Sequence, residues 1–101
     1  MPEFGTPYST LSAGKKVSQE ELIRAIRFFI SAEYEAIQLY EEIAEATENK
    51  LAREVLYDIA REEKIHAGEF LRLLKELDKE EEKFYKDGEK EVEEIIEKLN
   101  R

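Results

Sequence analysis

From Val17 to Asp87 the chain contains no proline and a single glycine, Gly68. A backbone so free of breakers, and so rich in Glu, Lys, Leu, Ile and Ala, is confined to long helices. The stretch before it, "MPEFGTPYSTLSAGKK", mixes Pro, Gly, Ser and Thr without periodicity, so residues 1–17 are expected to form a flexible or docked leader. Ser18 and Glu21 then form a capping-box signature, which starts helix 1 over about residues 19–48. "TENK" is a polar break, and helix 2 follows over about 51–77, where Gly68 can mark a close helix approach. Asp78 can cap a short segment over about 79–86. "DG" at Asp87-Gly88 suggests a turn, and "EKEVEEIIEKLNR" a last amphipathic helix over about 89–99. The expected fold is all-α: an antiparallel two-helix hairpin plus a short C-terminal helix, in one domain over residues 18–101.

Two long helices cannot bury both their apolar stripes against one another alone, so a partner surface is expected. With 100° per residue, Leu22, Ile26, Phe29, Ile30, Ala36, Ile37, Tyr40 and Ala44 lie within about 80° of a common direction. Glu33 falls near the middle of that stripe, whereas Glu35, Glu42 and Glu45 lie on the far side. The same construction on helix 2 gathers Val55, Leu56, Ile59, Ala60, Ala67, Phe70, Leu74 and Leu77 around Glu63, with His66 inside the arc. Asp58, Glu62 and Glu69 fall towards the flank as solvated acids. At ~1.5 Å per residue, Glu33 and Glu63 stand ~24 and ~20 Å from the turn, less than one helical turn apart. Two buried-face carboxylates and the only histidine of the chain therefore meet across the hairpin.

Burying a carboxylate without a partner costs several kcal/mol or leaves it protonated. No Lys or Arg lies on either stripe between the helix ends to neutralise the pair, and a metal ion would satisfy both acids and the imidazole together. Oxygen and imidazole donors suit Fe, Mn or Zn. The chain has no cysteine, which excludes disulfides, zinc ribbons, rubredoxin-type iron sites and cysteine nucleophiles. A net charge of -9 speaks against nucleic acid and suits a protein that attracts cations. No apolar run approaches the ~20 residues that span a membrane, and the N-terminus lacks a signal-length hydrophobic segment, so a cytoplasmic location is expected. The Lys and Glu enrichment is of the kind seen in thermophiles.

Carboxylate-bridged di-iron bundles take a Glu from each of two helices and a Glu-x-x-His from each of two others. One Glu33 and one Glu63-x-x-His66 make half of such a site, and the other half would come from a second copy across a two-fold axis.

The stretches "SAEYEAIQLYEEIAEAT" and "LYDIAREEKIHAGEFLRLL", over about residues 20–77, resemble the encapsulated ferritins, short two-helix members of the ferritin-like superfamily. The resemblance implies a ferritin-like four-helix bundle completed by dimerisation, and larger rings of dimers such as a decamer. It also implies a ferroxidase in which Fe(II) and O2 react at a di-iron site shared between two subunits. Glu33, Glu63 and His66 match the ferroxidase ligands, with Glu63 bridging. Glu35 matches a carboxylate of a metal-uptake site, and Tyr40 a tyrosine near the metal centre, reached from the partner chain. The implied partner is an encapsulin shell protein, and the implied location the interior of an encapsulin nanocompartment in the cytoplasm. Ala32 and Leu39 depart from positions where some members carry a second uptake acid and a tryptophan, and "EEIIEKLNR" lacks an obvious cargo-loading peptide. The residues alone leave other readings open: a rubrerythrin-like peroxidase, a Mn or Zn binder, or a purely structural helical oligomer.

Overall fold

The computed structural model describes residues 16–101, so the leader expected over residues 1–17 lies outside the described residues but for its last two. Three helices follow, α1 (Gln19–Ala46), α2 (Lys50–Leu77) and α3 (Lys79–Leu99), with no strand among the described residues. The all-α expectation holds.

The ends of α1 and α2 are set locally. Ser18 Oγ accepts from the Glu21 amide at 3.1 Å while Glu21 Oε1 accepts from the Ser18 amide at 2.8 Å, so two orphan donors are satisfied reciprocally. Asn49 caps α2 through the Ala52 amide at 2.9 Å. Arg53 reaches back and donates to the carbonyls of Ala44 (3.3 Å) and Thr47 (2.6 Å), which closes the end of α1. The break therefore falls at residues 47–49, slightly tighter than "TENK" suggested.

α1 and α2 form an antiparallel hairpin, with Lys64 bound to Glu41 at 2.8 Å and the Phe29 and Phe70 rings 5.6 Å apart. Their seam buries Ile26, Ile30, Ile37 and Ala44 from α1 against Ala60, Ala67 and Leu74 from α2. Only Ile26 and Leu74 are large and fully enclosed, and their cluster extends to Leu22, Phe70 and Leu77. Phe29 and Val55, both on the apolar stripes, remain 45% and 46% exposed. A single neighbouring helix is too narrow to cover an arc that wide.

α3 differs from expectation. It runs unbroken through Asp87 and Gly88 rather than turning there. A glycine inside a helix costs only ~1 kcal/mol, too little to stop a segment of strong helix formers capped by Asp78. Asp78 ends α2 and caps α3 at once, through the Glu81 amide at 2.9 Å. None of the residues of α3 is buried. The described residues form a slab of 47 × 46 × 19 Å with a radius of gyration of 17.9 Å, against ~13 Å for a compact chain of this length. At 19 Å the slab is two helices thick at most, so among the described residues no third layer covers the broad faces of the hairpin.

Candidate metal centre

Ile30 and Ile37 bracket Glu33 on α1, and Ala60 and Ala67 bracket Glu63 on α2, all four of them buried. The acids thus sit inside the seam rather than beside it. Their side chains are 18% and 21% exposed, while His66, one turn beyond Glu63, is 48% exposed and faces the open side. One ligand atom each from Glu33, Glu63 and His66 lies within 4.8 Å of the others. This is the trio that helical counting brings together, at the level it indicates.

The distances do not suit a hydrogen-bonded network. His66 Nδ1 is 3.8 Å from Glu33 Oε2 and 3.8 Å from Glu63 Oε1, too far for hydrogen bonds. Glu33 Oε2 is buried and has no hydrogen-bond partner. A buried carboxylate oxygen left without a donor is expensive, and native interiors rarely tolerate one. The cations nearest in sequence are engaged elsewhere, Lys64 with Glu41 at 2.8 Å and Arg61 with Asp58 at 3.9 Å. Ligands held ~2.1 Å from one ion lie about 3–4 Å apart, so the observed spacing fits a metal with small side-chain adjustment. Two carboxylates and one imidazole form a donor set suited to Fe, Mn or Zn, and they leave much of the ion's coordination unfilled.

Tyr40 and Glu35 are not drawn into this trio. Within the chain they line a separate groove on α1, together with Ala32, Ala36 and Leu39. Glu69 and Phe70, in contrast, stand with Glu33 and His66 around a cavity of about 290 Å³ at the mouth of the trio. Helical counting puts Glu69 on the solvated flank instead. Its position three residues after His66 is the signal in the sequence, because i,i+3 neighbours share a face.

A second polar cluster joins the helices about two turns before Glu33 on α1, where α2 gives way to α3. Arg27 of α1 donates through Nε to Glu81 of α3 at 3.1 and 3.3 Å and through Nη2 to the same carboxylate, with Asp78 at 3.7 Å. The Tyr85 hydroxyl also donates to Glu81. The Arg27 hydrogen bond holds the Glu81 carboxyl below its usual range. Burial, with the Glu81 contact second, pushes the Tyr85 hydroxyl up to about 12. Nothing in these groups resembles a reaction centre; they fix the start of α3 on α1.

Known proteins are similar to this chain. A family model described as Rubrerythrin matches residues 19–100. The chain is 44% identical over 85 residues to a ferritin-like-encapsulin shell fusion protein of Pyrococcus furiosus, covering 84% of this chain and 25% of that protein. It is 39% identical over 80 residues to the encapsulin nanocompartment cargo protein EncC of Myxococcus xanthus, covering 79% of this chain and 60% of that one. It therefore spans between a quarter and three-fifths of the length of these curated relatives. The crystal structure of the encapsulated ferritin domain from Pyrococcus furiosus superposes with a TM-score of 0.77 at 46% identity, covering 80% of this chain and 83% of that one. With the helical hairpin, the seam acids and these similarities in hand, the chain belongs to the rubrerythrin family of ferritin-like domains.

Proposed function

We propose that two copies of this chain join through the open face of the hairpin, and that Glu33, Glu63 and His66 of both copies bind and oxidise Fe(II). The observation that carries the reading is the unpartnered, buried Oε2 of Glu33 beside a second seam carboxylate and an imidazole. A cation would satisfy both carboxylates and the imidazole at once. The apolar residues left exposed near it, Phe29 and Ile43 on α1 and Val55 and Leu73 on α2, give the second copy a surface to cover.

By the family resemblance, Glu63 would be the carboxylate shared between two ions, with Glu33 and His66 as the remaining ligands. Four carboxylates and two neutral imidazoles against two Fe(II) give a neutral site, whereas the same groups without iron gather up to four negative charges. Anionic oxygen donors stabilise Fe(III) more than Fe(II), so the seam favours loss of an electron from each substrate ion to dioxygen, with solvent protons taken up by the reduced oxygen. By the family resemblance, Tyr40 of each copy approaches the centre of the other, and Glu35 takes part in iron uptake. The named relatives are shell-fused or shell-enclosed, and we extend that setting here: the chain serves as cargo of an encapsulin nanocompartment in the cytoplasm and supplies Fe(III) for storage there.

Anaerobic Fe(II) loading followed by dialysis tests the reading. The parent should keep about one Fe per chain, and Glu63→Ala or His66→Ala should keep none. Glu33→Ala should lose most of the O2-dependent oxidation. A parent that stays iron-free would leave the trio as mere interface polarity.

A further inference from the structure

Two grooves meet at Glu69. One is the cavity at the mouth of the metal trio, which Glu69 lines with Glu33, His66 and Phe70. The other runs along the outer face of α2 past Ile65, Gly68, Arg72 and Glu76. In that outer groove the charge of Glu76 is already met by Arg72 at 3.0 Å and Lys79 at 3.4 Å. Glu69 has no ion-pair partner among the described residues and is exposed. The α1 groove that holds Glu35 shares no residue with the trio, and its neighbouring position 32 is an alanine.

Resting on the metal-centre reading above, we infer that in the unpaired chain, before a second copy covers the open face, Glu69 is the carboxylate through which a hydrated divalent cation passes from the outer face of α2 to His66 and Glu33. An unpaired carboxylate at the junction of an open groove and a buried acidic seam concentrates cations where they must turn inward. Its i,i+3 offset from His66 sets the two groups within about 5–6 Å at their Cβ atoms, close enough for an ion to change ligands without returning to bulk water. His66, half exposed, is the next ligand, and the buried Glu33 oxygen is the innermost. Glu69 thus acts on the rate of loading and not on the final binding.

Stopped-flow uptake of Co(II), followed by its visible absorbance, separates these effects without any oxidation step. Glu69→Gln should load the same amount of Co(II) per chain as the parent, but about fivefold more slowly at low ionic strength, the scale expected for one charge near a dication. The difference should shrink in about 0.5 M salt, where the Debye length falls to about 4 Å. Glu54→Gln, an equal change of charge about four turns away that lines neither groove, should load at the parental rate. Parental kinetics in Glu69→Gln, an equal slowing in Glu54→Gln, or a lower Co(II) stoichiometry in Glu69→Gln would each overturn the assignment. A parent whose Co(II) uptake is unchanged by His66→Ala would instead overturn the metal centre itself, so the two failures are told apart.

Discussion

Glu33 keeps one carboxylate oxygen away from water with no donor against it, between Ile30 and Ile37. Its place is legible in the sequence, because 100° steps leave few positions on α1 where an acid can face the seam, and Glu33 occupies one. Glu63 and His66 are legible for the same reason. Gly68 is only half so. A glycine inside α2 suggests a close approach, yet nothing lies within 4 Å of where its Cβ would stand. The hairpin does not need it. Gly68→Ala should therefore stabilise the isolated chain by about 1 kcal/mol, the helix-propensity difference, as read from the urea midpoint. A destabilised variant would mean that another copy's backbone packs there. Glu69 is marked in the sequence only by its i,i+3 offset from His66, because angular position on one helix does not report the shape of the cavity that forms between two.

At the scale of elements, the hairpin follows from caps and periodicity, which act over three or four residues and are written locally. α3 shows the limit of such reading. Asp87-Gly88 carries a turn signature, but the Asp78 cap and the helix formers on both sides outweigh it. The clasp of Arg27 on Glu81 joins residues 54 apart in the chain, and no local pattern encodes it. It also makes the docking of α3 depend on pH. Glu81 is held below its usual range, so its contribution is present above about 4.5 and is lost as pH falls through its folded value. Tyr85 is raised to about 12, so its contribution is full below about 10 and is lost as pH rises towards 12. Amide exchange over the first turns of α3, corrected for the intrinsic rate at each pH, should therefore be slowest at intermediate pH and quicken at both extremes. Arg27→Ala should quicken it at neutral pH, with a loss on the order of 1 kcal/mol because Arg27 is 46% exposed and solvent screens the pair. Exchange that is indifferent to Arg27→Ala would mean that the Asp78 cap alone orients α3.

The described residues form a thin slab that leaves large apolar side chains exposed and the Glu33, Glu63 and His66 trio only partly covered. The chain carries a net charge of -9, and burying a second copy's Glu33 and Glu63 against the first adds like charge in a low-dielectric seam. Apolar burial favours pairing and the carboxylates oppose it; a cation removes the opposition. The wide stripes lead the sequence to an expected partner surface, but not to a number of copies, since periodicity describes one helix and not the symmetry around it. Glu63→Gln keeps the shape and removes a charge from each half-site, so it should pair with less need of metal while losing iron oxidation.

Native mass against metal concentration tests the shared centre most directly. The parent should run as monomer or weak dimer with chelator present, and pass to dimers and larger rings as Fe(II), or Co(II) in its place, approaches about one ion per chain. An assembly of the same mass and stability in chelator and in metal would contradict it, because apolar packing alone would then hold the seam.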